Sequence, residues 1–408
     1  MAVPKRQFPD GFYWGAGTSA YQVEGNIYNT DWALAAEEGR VPRAGKSSDH
    51  YNYFEEDFDL AKELGHNAHR FSIEWARIEP EEGTFDHKEI EHYREVLKAL
   101  RKRGLEPYVT LWHFTLPLWF SEKGGFERKD APEIFARYCS FVMKELGDLF
   151  THVSTMNEPN VYATHGWLYG AWPPFKQWRI LGKKIGKEDG TSRRTQSSFL
   201  NIFRYFKVSD NLIRAHRQAY FEIKKVSPKA EVSVVKHVHY FYANKNPLNK
   251  LLARFMNYQQ TTRFMNKVAD SCDEIGLNFY RSTQFGDTRT HTYTDMGWKI
   301  VPEDIYGALM LLRQYKKPIF IAEAGLADAN DVHRAEYIRV QVSSVWRAIQ
   351  EGVDVRGHMY WSLLDNYEWA LGYEKRFGLV EIDYQTLKRT PRPSAQVYQK
   401  ICVENAVE

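Results

Sequence analysis

The sequence predicts a (β/α)8 TIM barrel with elaborated loops at its C-terminal face. Three observations carry that prediction. Short apolar segments alternate with amphipathic helical patterns, the strand-like segments count to eight, and no composition break or linker separates them. The length of 408 residues would by itself allow two or three domains. Closed α/β barrels commonly exceed that prior as one unit, so the expectation is a single barrel domain over residues 1–408.

The first strand is read at 12–16 and is followed by a helix at 51–64. A second strand runs over 68–75, and its helix shows Ile90, Tyr93, Leu97 and Leu100 on one face, the spacing of a surface helix packed on a sheet. The third strand is placed at 107–112, with a helix at 132–146 whose proline suits a first turn. Residues 152–156 form the fourth strand. A long connection follows, basic and polar over 176–194, read as a solvated excursion slightly ahead of an ordered loop over the cleft. A helix at 210–225 restores the rhythm. Strands at 232–236, 274–279, 318–321 and 357–361 complete the eight, with helices at 308–315 and 336–349 between the last of them. An open doubly wound sheet is the alternative. It lacks its phosphate loop, because Trp14-Gly15-Ala16-Gly17-Thr18 is only a fragment of one and leads to Gln22 rather than to a helix start.

Composition limits the possible partners. The chain is 43% hydrophobic and 26% charged, enough apolar surface to fill a core. Basic and acidic residues nearly balance, 55 against 52, which gives no reason to expect nucleic acid or a membrane. Cys139, Cys272 and Cys402 show no metal-ligand spacing, and Cys139 sits among Phe135, Tyr138 and Val142 at helical spacing, as core. Free thiols, and a start without a long apolar run, point to a cytoplasmic protein. Neither a cofactor nor a metal is expected. Oligomeric state is left open. Twelve Trp and 25 Tyr suit a saccharide cleft, because sugar rings present C–H faces that stack on aromatics.

Active sites of such barrels are built where the strands end. Gln22 follows strand one, Arg70 lies on strand two, His113 ends strand three, and Asn157 and Glu158 end strand four. Asn278 and Tyr280 end strand six, Glu323 ends strand seven and Trp361 ends strand eight. Singly, Arg70 could be a buried partner of Glu74, His113 a core histidine and Trp361 a packing aromatic. Their joint placement at one mouth is hard to explain as packing. Two carboxylates in one cleft, Glu158 and Glu323, are what glycosidic cleavage requires: one protonates the leaving oxygen, the other attacks or activates water.

Asn157-Glu158-Pro159, with Glu323 on a later apolar strand, resembles the pattern of family 1 glycoside hydrolases, the β-glucosidase and β-glycosidase family. The similarity runs from Phe8-Pro9-Asp10-Gly11-Phe12 to Lys375-Arg376-Phe377-Gly378-Leu379, nearly the whole chain. The resemblance implies a retaining β-glycosidase with Glu158 as general acid/base and Glu323 as nucleophile, their carboxyl groups about 5–5.5 Å apart. It places Arg70, Asn278 and Tyr280 in support of the nucleophile. Gln22, His113, Asn157, Tyr280, Glu368 and Trp369 would bind the sugar, over Trp361 as a platform. Glu368 would accept from sugar hydroxyls and repel a phosphate, so the implied substrate is a non-phosphorylated, terminal β-glycoside, small-molecule or oligosaccharide. The presence of Glu158 separates the chain from the plant thioglucosidase branch, where Gln replaces the acid.

The chain departs from the family in one place. Where Thr-Glu-Asn-Gly is usual around the nucleophile, Ala322 and Ala324 flank Glu323, and Gly325 is read as permitting an unusual backbone turn. The residues leave glucose, galactose, fucose and mannose open as the glycone. A transglycosylase using the same intermediate, or a carbohydrate-binding pseudoenzyme, are the alternatives.

Overall fold

The computed structural model describes residues 5–180, 183–184 and 196–408. Eight parallel strands close into a barrel in simple sequential order. They are β1 (Tyr13–Gly17), β2 (Ala68–Ser72), β3 (Glu106–Thr110), β4 (His152–Asn157), β5 (Glu231–His237), β6 (Ile275–Phe279), β7 (Ile319–Ala324) and β8 (Val355–Trp361). The longer helices are α1 (His50–Glu63), α2 (His87–Lys102), α3 (Ala131–Leu146), α4 (Pro159–Trp167), α5 (Asn201–Val226), α6 (Pro247–Asn257), α7 (Arg263–Val268), α8 (Ile305–Leu312), α9 (Arg334–Gln350) and α10 (Pro393–Glu404).

Helix α2 shows how the local sequence sets an element. The Asp86 carboxylate caps it, accepting from the Lys88 N–H at 2.8 Å and the Glu89 N–H at 3.4 Å. Ile90, Tyr93, Val96, Leu97 and Leu100 are buried on one face, and Arg101 and Lys102 occupy the last turn, where the carbonyl end favours cations. Cys139 is buried on α3 as expected, and Cys272 and Cys402 are also free and buried.

The barrel interior changes character along its axis. One apolar cluster in it is built from Ala68, Tyr108, Val235, Phe320, Ala322 and Met359 with Tyr13 packed against them. The Ser154 and Ser233 hydroxyls bond at 2.8 Å across β4 and β5, and towards the strand ends lie Arg70, Asn157, Asn278 and Glu323, all buried. At the closed end, Arg6–Gln7 pairs antiparallel with Ala406–Val407. The Tyr398 hydroxyl of α10 donates towards the Gly15 and His358 carbonyls, tying the first and last strands together.

Three expectations change. β1 is followed by a one-turn helix, Ala20–Val23, so Gln22 does lie on a helix; the turn is too short to leave a periodic signal. α5 begins at Asn201, nine residues before the expected 210, and α4 was not foreseen at all. Pro159 occupies its first turn, where a missing N–H costs nothing. The basic 176–194 stretch begins with a strand, Lys176–Ile180, paired with Gln196–Ser198; residues 181–182 and 185–194 lie outside the described residues.

Candidate active site

Glu158 ends β4 and caps α4 with a left-handed backbone, φ +43°. A non-glycine residue there carries strain of about 1–3 kcal/mol and persists only when its surroundings over-determine it. They do. The Glu158 N–H donates to the Val235 carbonyl of β5 at 2.9 Å, and its own carbonyl accepts from Val161 and Tyr162 of α4. This turn aims the carboxyl group into the mouth, where the Asn278 amide of β6 donates to Oε1 at 2.8 Å.

Glu323 reaches the same pocket from β7. The Arg70 guanidinium donates to Oε1 at 2.5 Å and the Tyr280 hydroxyl donates to Oε2 at 2.6 Å. Asn157 joins the two halves: its Oδ1 accepts from Arg70 at 2.8 Å and from Asn278 at 3.1 Å. Glu158 and Glu323 are thus linked through Asn278, Asn157 and Arg70 in one buried network. Arg70 does not pair with Glu74, which is bonded instead by Thr115 and the Ala76 N–H.

The electrostatics follow from these contacts. Burial pushes the Glu158 carboxyl up to about 8, and the Glu323 charge acts in the same direction; the Asn278 amide, Lys236 and Arg70 oppose it less strongly. Burial and the same Glu323 charge raise Tyr280 well above the phenolic range, which keeps its hydroxyl a donor. His113 is held well below the usual imidazole range by burial and then by Arg70, so it is neutral.

The other predicted residues surround this pair. The Gln22 amide donates to Asn366 Oδ1 at 3.1 Å and to the Tyr367 carbonyl at 2.8 Å, fixing it against the loop after β8. The His113 ring lies parallel to both Trp361 and Trp369, with centroids 5.9 Å away in each case. Its Nε2 lies 3.3 Å from the Asn157 amide. Trp369 is buried against Tyr21, Trp32, Phe114 and Trp172. Glu368 precedes it, and burial followed by the Glu323 charge raises its carboxyl to about 8.

The flanking alanines are wholly buried, Ala322 in the apolar cluster with Val235 and Met359 and Ala324 in the main core. Gly325 needs correction: its φ is outside the left-handed region, and its role is close approach. A Cβ there would lie 1.9 Å from the Trp361 carbonyl oxygen.

Sequence reasoning missed Asn366, Trp172 and Lys236. Asn366 lay within the Trp361–Trp369 motif and was open to notice. Trp172 sits in a loop without periodicity, and only tertiary packing brings it to the pocket. Lys236 stood out as a cation inside an apolar strand. It is completely buried, its Nζ donates to the His237 carbonyl at 2.6 Å, and burial lowers it to about 7 against the pull of Glu158.

Comparison with known proteins agrees with this geometry. The profile described as Glycosyl hydrolase family 1 matches residues 4–270 and 248–407. Beta-glucosidase A of Thermotoga maritima is 30% identical, covering 99% of both chains. A beta-galactosidase of Sulfolobus acidocaldarius is 28% identical over 98% of this chain and 96% of its own. Among solved structures, a beta-glycosidase from Pyrococcus horikoshii superimposes with a TM-score of 0.87 at 33% identity, covering 99% of this chain and 97% of that one. A barrel of this topology, with two glutamates joined by one buried network at its strand ends and family similarity along nearly its whole length, leads to one assignment: the chain belongs to glycosyl hydrolase family 1.

Proposed function

We propose that Glu323 is the nucleophile and Glu158 the acid/base of a retaining, exo-acting β-glycosidase that takes terminal, non-phosphorylated β-glycosides of the β-glucoside type. The observation that carries this reading is the opposed surroundings of the two carboxyl groups within one network. Both Glu323 oxygens meet charged or strongly polarised donors, while Glu158 receives one amide and is raised by burial and the Glu323 charge.

In the first step a Glu323 oxygen attacks the anomeric carbon, the bond to the leaving oxygen breaks, and Glu158 gives that oxygen its proton. Glycosylation removes the Glu323 charge. One of the causes that raises Glu158 disappears, and it becomes the base for the second step. Water then attacks the same carbon, Glu158 takes the water proton, and the Glu323 carboxylate leaves. Gln22, His113, Asn157 and Glu368 supply polar groups to the glycone, with Trp361 and Trp369 as aromatic walls. Relatives named beta-glucosidase support the glucoside preference.

Ala322 and Ala324 do not favour a pseudoenzyme, because Glu323 keeps a donor on each oxygen without help from its neighbours. The test is a 2-deoxy-2-fluoro β-glucoside with an activated leaving group. It should inactivate the protein stoichiometrically, and peptide mapping should find the sugar on Glu323. A label on another carboxylate, or none alongside undetectable hydrolysis of an aryl β-glucoside, would overturn the assignment.

A further inference from the structure

Helix α6 turns its apolar side outwards. Leu248, Leu251, Leu252 and Phe255 follow the i, i+3, i+4, i+7 pattern that normally faces a core, yet Leu248 is 74% exposed, Leu251 65% and Phe255 54%. Ala253 is the helix's buried contact with the protein, and Tyr258 continues the exposed side. A second apolar row begins α5, with Phe203 exposed to 61% and Phe206 beside it. The Arg263 guanidinium of α7, the helix that follows α6, lies 4.8 Å above the Phe206 ring.

The segments that carry these rows hold charges of one sign, and Asp210, just beyond them on α5, is paired with Lys267 at 3.1 Å. No Asp or Glu occurs from residue 240 to 269 or from 196 to 209, whereas these stretches hold Lys245, Lys250, Arg254, Arg263, Arg204 and Lys207. Lys250 and Arg254 form a row alongside the apolar one. Among the described residues, neither of them nor Lys245 has a carboxylate within ion-pair distance. An apolar helix face bordered by unpaired cations is the arrangement that seats a helix in the headgroup boundary of an anionic bilayer.

We propose that α6, with the start of α5, docks the protein on an anionic lipid surface, Leu248, Leu251, Leu252 and Phe255 entering the headgroup boundary and Lys245, Lys250 and Arg254 meeting lipid phosphates. A second copy of this chain fits less well. A two-fold contact would set the Lys250–Arg254 row against or beside itself with no acid on α6 to answer it. The near-neutral charge of the whole chain conceals the feature, since 52 acids lie elsewhere. The face lies on the mouth side of the barrel, because this excursion leaves the C-terminal end of β5.

The test is flotation of the full chain with vesicles of phosphatidylcholine and phosphatidylglycerol, against vesicles of phosphatidylcholine alone. The wild type should float with the anionic vesicles and be released by salt. Leu248→Ser/Leu251→Ser/Phe255→Ser should weaken partitioning by at least ~10-fold, and Lys250→Gln/Arg254→Gln by roughly 10-fold or more. Near-UV circular dichroism checks that each variant keeps the wild-type fold. If the triple variant does not, Leu252→Cys carrying an environment-sensitive dye supplies a single-site readout, since Cys139, Cys272 and Cys402 are buried. Its emission should shift to the blue on anionic vesicles. Wild type that stays in the lipid-free fraction, a triple variant that binds undiminished, or equal binding to neutral vesicles would each overturn the proposal. So would a wild-type dimer in sedimentation that the triple variant converts to monomer, which would assign the face to a second copy.

Discussion

The ends of β4 and β7 contribute one carboxyl group each to the same pocket, and they treat those groups in opposite ways. At β7 the acid arrives on a strand whose register with both neighbours shifts beside it, and it finds a guanidinium on one oxygen and a phenol on the other. At β4 the acid stands on a strained turn, receives one neutral amide, and is raised to about 8 chiefly by burial. The residue type is identical, so the division of labour lies in the neighbours. Arg70 and Tyr280 make one end fit for an anion. Desolvation and the other carboxylate make the opposite end fit for an acid that keeps its proton near neutrality.

Removing either group should break the comparison in a characteristic way. Glu323→Ala should cost the most, on the order of 10⁴-fold or more in kcat on every substrate, because the attacking atom is gone. Azide should then yield the α-glycosyl azide by direct displacement. Turnover within tenfold of wild type would return the nucleophile's role to another residue. Glu158→Ala should cost roughly 10²–10⁴-fold on alkyl glycosides and far less on activated aryl glycosides in the bond-breaking step, since those need little protonation. Here azide should give the β-azide. Equal losses across leaving groups would count against the acid.

The coupling between the two ends can be sharpened by pH. Glu158 is raised in the folded protein, so the acid-competent form is present below about 8 and is lost as pH rises through that value. The basic limb of kcat/KM should therefore fall near pH 8. Glu323→Gln removes the charge that helps raise Glu158, and carbon-13 NMR of labelled glutamate should find it titrating at lower pH than in the wild type. An unchanged or higher titration would show that the two carboxyl groups do not sense one another.

The smallest effects are expected around the pair. Asn278→Ala removes a hydrogen bond to the protonated Glu158, worth about 0.5–1.5 kcal/mol, or about two- to tenfold in kcat/KM. Ala322→Thr and Ala324→Asn each add polar atoms to buried positions with no partner in the apolar layers around them, so each should lower the melting temperature and alter activity less than about tenfold. A gain of several orders of magnitude from the double replacement would mean that the alanines disable the natural site.

The barrel itself was legible in the chain because its signals are local. Strand segments are short apolar runs, helices such as α2 declare one buried face and a cap, and both patterns survive without knowledge of their neighbours. The same holds for the meeting of two glutamates at one mouth, since Glu158 and Glu323 each stand at the end of a predicted strand. What the sequence left open depends on residues far apart along it. The Arg70–Asn157–Asn278 network joins three strands, the partner of Gln22 is Asn366, and Trp172 reaches Trp369 only because a loop folds over the mouth. The leucines of α6 stand at helical spacing, a pattern that by itself fits a core face. Whether such a face turns inwards is decided by what packs on the other side, and here the elements around it bury Ala253 and leave the leucines to solvent. Periodicity records which residues share a face; only the tertiary structure decides what that face meets.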